Sequence, residues 1–237
     1  MEKTRINKYL AELGIGSRRA IDKMIEEGKI KVNGTLAQSG IKVNEEDEII
    51  VNGKSVNSKE KSKKVYFMLN KPKRVLSTVK DERGRKTVVD LIDTKERIFP
   101  IGRLDYDTEG LLLLTNDGEV FNKVIHPRTE VYKTYLVEAK GNINMSTLNR
   151  LKRGVMLDDK MTLPAKAKII SADEYHTVLH FAIKEGRNRQ VRRMFESVGH
   201  NVINLKRIRL GELTLEGLEV GEYRTLTKKE VKYLYSL

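Results

Sequence analysis

The residues of this chain best suited to chemistry are three alternating carboxylates and a dense run of guanidinium groups. Asp105, Asp107 and Glu109 fall within FPIGRLDYDTEGLLLLTNDGE, after Arg103 and just before the apolar run Leu111 to Leu114. A carboxylate next to a buried strand can be held rigidly, as acid–base or nucleophilic work requires. Paired acids can also cleave glycosides, and acids at alternate positions before a glycine can open a calcium loop. The calcium reading fails at its twelfth position, which holds Asn116 rather than a bidentate glutamate. Nothing else in the chain points to a sugar polymer. All three acids could also be plain surface residues. Lys184 to Arg209 carries eight Lys or Arg against two Glu. Part of that run is a solvated helix face, but clustering of this kind favours contact with phosphate.

The elements that must position these groups read as follows. Ile6, Tyr9, Leu10 and Leu13 lie at helical spacing, and Gly14 can end that helix. Ser17 suits the N-cap of a second helix with Ile21, Met24 and Ile25 on its apolar face and Gly28 at its end. Short strands follow, punctuated by the hairpin signals Asn33-Gly34 and Asn52-Gly53. Ser58 to Lys64, SKEKSKK, has no apolar residue and reads as a linker. The expected domains are therefore 1–58 and 65–237, joined by 59–64. In the second, strands are expected at Val65 to Leu69, Leu111 to Thr115, Thr134 to Ala139, Ala165 to Ile170 and Thr177 to Ile183. Helices fit near Thr87 to Ile92, Glu119 to Ile125, Ser146 to Arg153 and Asn188 to Val198. The fold class is α+β: a small αα-β module, then a mixed, mainly antiparallel sheet with flanking helices.

Composition narrows the function classes. The chain has 237 residues, 39% hydrophobic and 33% charged, which describes a globular protein. Its net charge of +13 points to a polyanionic partner, of which nucleic acid is the commonest. It has no cysteine, which removes disulfides, thiolate nucleophiles and cysteine-based zinc sites and suits a cytoplasmic setting. The N-terminus lacks the apolar core of a signal peptide, and no stretch approaches the ~18 apolar residues of a membrane span. His126, His176, His180 and His200 show no metal-ligand spacing. There is no GxGxxG, and Gly53-Lys54-Ser55 has Glu48 where a phosphate-binding loop needs its leading glycine.

Residues 1–58 carry ten Lys or Arg against nine Asp or Glu, so placement matters there more than sum. Arg5 and Lys8 share one helix face, and Arg18 and Arg19 fall in the first turn of the second helix. Free backbone N–H groups at that turn also favour phosphate. The run RINKYLAELGIGSRRAIDKMIEEGKIKVNG resembles the S-four-type RNA-binding module, named after a small-subunit ribosomal protein. That resemblance implies RNA contact by Arg5, Lys8, Ser17, Arg18 and Arg19.

The segment around Asp105 resembles the GRLDxxTxGLLLLTNDG signature of the RsuA/RluB branch of pseudouridine synthases, with every fixed position present from Gly102 to Gly118. The resemblance implies that Asp105 is the catalytic carboxylate, which leaves Asp107 and Glu109 as surface acids. It implies that Tyr135, in a K-T-Y strand, stacks on the extracted base. Tyr132 and Tyr135 are three apart and face opposite sides of a strand, so only one can line the site. EGRNRQVRRM resembles the family's GRxxQVRRM segment. There Arg192 is the arginine expected to pair with Asp105, with Arg187 as its competitor. Arg103, Arg187 and Leu205 are expected at the substrate, and Arg189, Gln190 and Arg193 on RNA. The N-terminal part and KPKRVLSTVKDERGRKTVVDLI look most like the branch members that act on large-subunit ribosomal RNA; the alternatives are a branch member acting on small-subunit ribosomal RNA, or a non-catalytic RNA-binding factor of ribosome assembly. The implied partner is ribosomal RNA, bound by a monomer, with no cofactor, metal or membrane.

Overall fold

The computed structural model describes residues 3–56, 63–126 and 128–237. Most of the expected linker therefore lies outside the described residues. The chain forms two compact units: Met1–Val65 with Thr94–Arg97 and Asn116–Gly118, and the remainder.

In the first unit β1 (Thr4–Arg5) leads into α1 (Ile6–Glu12) and α2 (Arg18–Glu26). The Ser17 side chain caps α2 by accepting from the Ala20 N–H at 3.1 Å. Four short strands, β2 (Ile30–Val32), β3 (Thr35–Leu36), β5 (Ile49–Val51) and β6 (Lys54–Val56), form a sheet in the order β3-β2-β5-β6, while β4 (Lys42–Val43) pairs with β1. Asn33-Gly34 and Asn52-Gly53 make the two tight hairpins, all four residues at positive φ. Ile30, Val32, Ile49 and Val51 alternate inward against Ile6, Leu10, Ile21 and Ile25.

The second unit is built on one large sheet. Its strands are β7 (Tyr66–Lys71), β8 (Phe99–Ile101), β9 (Glu109–Thr115), β10 (Lys133–Lys140), β13 (Lys166–Ala172), β14 (His176–Ile183), β15 (Val202–Leu210), β16 (Leu213–Thr214) and β17 (Tyr223–Thr225). A separate hairpin holds β11 (Met156–Leu157) and β12 (Lys160–Met161). The order is β13-β14-β10-β15-β9-β7-β17, antiparallel throughout except that β15 runs parallel to β9. β15 and β8 share one edge of β9: β15 pairs with Glu109 and Gly110, and β8 with Leu113 to Thr115. Gly110 marks that switch at φ +113°, where an added Cβ would lie 2.2 Å from the Arg207 carbonyl oxygen. Helices α3 (Gly118–Ile125), α4 (Met145–Arg153), α5 (Gln190–Glu196) and α6 (Lys228–Ser236) flank the sheet. Thr227 and Glu230 form a reciprocal cap at the start of α6. Near Thr87 to Ile92 only a single 3-10 turn, Val89–Leu91, forms, because the Asp90 carboxylate turns back onto the Thr87 N–H and hydroxyl. No helix among the described residues is long and apolar enough to cross a membrane.

Candidate active site

Asp105 lies in the loop between β8 and β9, and that loop is pinned from below. The Ser77 hydroxyl accepts from the Leu104 N–H at 3.1 Å and donates to the Leu104 carbonyl at 2.8 Å. Lys71, the last residue of β7, is fully buried. Its ammonium donates to the carbonyls of Pro72 at 2.9 Å, Asp105 at 3.2 Å and Thr108 at 2.9 Å. The Thr108 N–H closes the turn onto the Asp105 carbonyl at 3.1 Å. Burial pulls Lys71 down to about 8, against the pull of Asp105, Asp107 and Glu109 toward the charged form. The backbone of Asp105 is thus held while its side chain is left alone. Among the described residues its carboxylate makes no hydrogen bond or ion pair.

A cleft of about 990 Å³ opens at this loop, lined by Asp105, Arg103, Thr108, Tyr135, Lys133, Leu205, Arg207, Arg187 and Arg189, among others. The two central strands supply its wall. Tyr135 and Arg207 are direct partners across β10 and β15, and Leu205 precedes Arg207 by two residues on the same face. Tyr135 is buried, with Val137 and Ala139 on its side of the strand. Tyr132 stands apart, beneath the Lys166 and Lys184 ammonium groups at 4.3 and 5.3 Å.

The arginines are placed differently from the sequence expectation. Arg192 pairs with Asp107, not with Asp105: its Nη2 reaches the Asp107 carboxylate at 3.2 Å and the Asp107 carbonyl at 3.1 Å. Its Nη1 donates to the Val202 carbonyl at 3.0 Å. Burial pulls Arg192 below its ordinary value, and Asp107 pushes it back. Asp107 is accordingly more than a surface acid, since Arg189 also reaches it at 3.3 Å. Arg187 does not pair with Asp105 either. Glu185 takes its Nε at 3.2 Å, and the carbonyls of Leu157, Lys160 and Met161 take its terminal nitrogens at 2.7 to 3.2 Å. It therefore ties the β11–β12 hairpin to the cleft instead of offering free donors to a substrate. Gln190, expected on RNA, is buried, and its amide bonds the Arg187 N–H and Glu185. Arg193 pairs with Asp158 outside the cleft. Arg103 and Arg189 are exposed, and Leu205 is buried in the wall.

Three cations at or beneath the cleft were not singled out from the sequence: Lys71, Lys133, and Arg207, which counted only as part of the Lys184 to Arg209 basic run. Lys71 carried a signal, as a charge ending an apolar strand just before Pro72. Arg207 carried a weaker one, two residues beyond Leu205 and so on the same face of any strand.

A mixed sheet with a rigidly presented carboxylate in a cationic cleft, together with an αα-β module of exposed arginines, defines a two-part RNA-modifying enzyme. The chain belongs to the RNA pseudouridylate synthase family, whose model matches residues 65–197, and an S4 domain matches residues 4–49. It is 49% identical to the ribosomal large subunit pseudouridine synthase B of Bacillus subtilis, covering 98% of this chain and 96% of that one. It is 38% identical to the dual-specificity RNA pseudouridine synthase RluF of Salmonella typhi, covering 99% and 79%. A crystal structure of a pseudouridylate synthase matches with a TM-score of 0.70 at 33% identity, over 97% of this chain and 99% of that one. The protein is an RNA pseudouridine synthase, an isomerase of the RsuA/RluB branch with an N-terminal S4 domain.

Proposed function

We propose that this enzyme converts one uridine of 23S ribosomal RNA to pseudouridine, with Asp105 as the carboxylate that acts on the everted nucleotide. The observation that carries the role of Asp105 is its free side chain on a fixed backbone. Two neighbouring acids are tied up, Asp107 by Arg189 and Arg192, and Glu185 by Arg187 and Gln190, while Glu109 does not line the cleft. A site that must present an anion to a sugar needs an acid without such ties. Support for the large subunit comes from the Bacillus subtilis relative, a ribosomal large subunit pseudouridine synthase.

The reaction breaks the bond between the ribose C1′ and the uracil N1, turns the ring, and joins C5 to the same C1′. Nothing is oxidised and no group leaves the molecule, so this chemistry calls for no cofactor. The base must leave its stack at a cost of a few kcal/mol. Tyr135, lining the cleft beside Leu205, supplies the face on which it can stack, and Arg192 supports the Asp105 loop through Asp107. Exposed Arg103 and Arg189 meet the backbone phosphates near the cleft. In this reading 1–58 is the RNA-gripping domain and 65–237 the catalytic one, joined by 59–64 and acting as a monomer in the cytoplasm.

Two measurements test this. Pseudouridine mapping of rRNA from cells with and without the gene should show one 23S position lost; a loss confined to 16S would move the target to the small subunit. Purified Asp105→Asn should bind the same RNA as the parent while releasing tritium from [5-³H]uridine RNA about 10⁴-fold more slowly. Unchanged release would remove Asp105 from the mechanism.

A further inference from the structure

The most deeply set cation of the cleft is the one least used by the fold. Arg207 sits mid-strand in β15, opposite Tyr135 on β10 and Gly110 on β9. It is 4% exposed. Its Nε donates to the Leu111 carbonyl at 2.7 Å. Nη2 is buried with no partner, and the guanidinium makes no ion pair or other hydrogen bond among the described residues. Its charged neighbour is Lys133, another cation, which burial and then Arg207 pull below the ordinary lysine value. A buried, unpaired charge carries a desolvation penalty. Arg187, on the same cleft, shows what a structural arginine looks like here: a carboxylate and three carbonyls satisfy it. Thr108, also lining the cleft, has a second buried and unpartnered atom, Oγ1.

A cation that the protein leaves unsatisfied is matched to a charge the substrate brings. Backbone phosphates can meet exposed Arg103 and Arg189, whereas Arg207 lines the cleft at only 4% exposure, a setting suited to an inserted base rather than to a phosphate. When the C1′–N1 bond breaks, its electron pair goes to the ring, and negative charge spreads over N1 and the two carbonyl oxygens. C5 then gives a pair to C1′, and the proton that C5 loses is balanced by one gained at N1. We propose that Arg207 is a catalytic residue that donates from Nη to a carbonyl oxygen of the everted uracil and stabilises this transient anion. The proposal rests on the pseudouridine-forming reading above.

Arg207→Gln tests it in single turnover with enzyme in excess over rRNA transcripts. One transcript set carries uridine and the other 5-fluorouridine, whose fluorine makes the ring a better leaving group. Consumption of the target nucleoside is read by chromatography of digests. The variant should be slower on uridine by about 100-fold, with RNA affinity unchanged and a clearly smaller deficit on 5-fluorouridine. Equal deficits on both substrates would mean a structural strut and overturn the proposal. So would a parental rate, or a loss of affinity with a weaker salt dependence, the mark of a phosphate contact. Should thermal melts show that the glutamine variant does not fold, Arg207→Lys enters the same comparison under the same criteria. Parent enzyme inert on uridine transcripts would instead sink the reading on which the proposal stands.

Discussion

The cations of the S4 domain and those of the cleft are the same residue types in opposite settings. Arg5, Arg18 and Arg19 are exposed and make no ion pair or side-chain hydrogen bond among the described residues. Lys8, Lys23 and Lys29 touch only neighbouring glutamates at the surface, and such pairs contribute little. At the cleft and just beneath it, Lys71, Arg187 and Arg192 hold carbonyl groups in place, and Arg207, on the cleft wall, is drawn in with most of its donors idle. Exposed cations give salt-dependent attraction with little geometry. Buried ones give geometry, at a desolvation cost that only a fixed structure or a bound anion repays. Net charge describes neither group: the S4 domain is nearly neutral and still presents its arginines.

The contrast predicts unequal tolerance of the same small change. Gly110→Ala places a Cβ 2.2 Å from the Arg207 carbonyl, backbone against backbone, at φ +113°. It should cost about 3 kcal/mol or more, or leave the protein insoluble. Gly34→Ala, in the S4 domain at φ +79° with nothing within 4 Å, should cost about 1 kcal/mol. Urea unfolding of the two variants checks the ranking. Equal costs would show that the β9–β15 contact yields more easily than its geometry indicates.

A second test separates gripping from chemistry. Arg18→Ala with Arg19→Ala should weaken RNA binding about tenfold at physiological salt and lower the slope of log affinity against log salt by about 2. The single-turnover rate at saturating enzyme should stay at the parental value. A fall in that rate would tie these arginines to the chemistry and blur the contrast.

How much of this could be read from the chain follows from which forces are local. The S4 helices, the Ser17 cap and the two Asn-Gly hairpins were legible because capping and turn conformation are set within a few residues. So was the GRLD loop, through its motif. β15 was not: VINLKRIRL alternates polar and apolar poorly, and its strand identity comes from pairing with β10 on one side and β9 on the other. The arginine partners were misassigned for a related reason. Arg192 finds Asp107 across a sequence separation of 85, and spacing within one helix says nothing about which of two nearby acids it meets. Lys71 was passed over because a lysine is expected at the surface, and the three carbonyls that draw it in belong to a turn that only the folded chain forms.

That lysine offers the smallest and most specific test. Burial lowers Lys71 from 10.5 to about 8, so between those values the unfolded chain holds more protons than the folded one. Stability contributed by this group therefore rises with pH through that window; it is complete above 10.5 and lost as pH falls through about 8. Lys71→Met removes the titration together with the three carbonyl contacts. The parent should accordingly gain about 1 kcal/mol over the variant between pH 7.5 and 9, on top of a pH-independent deficit from the lost hydrogen bonds. Urea midpoints of both proteins across that range measure the difference. A flat difference would show that the ammonium is not burdened by burial, and that the Asp105 loop rests on a lysine as comfortable as those of the S4 surface.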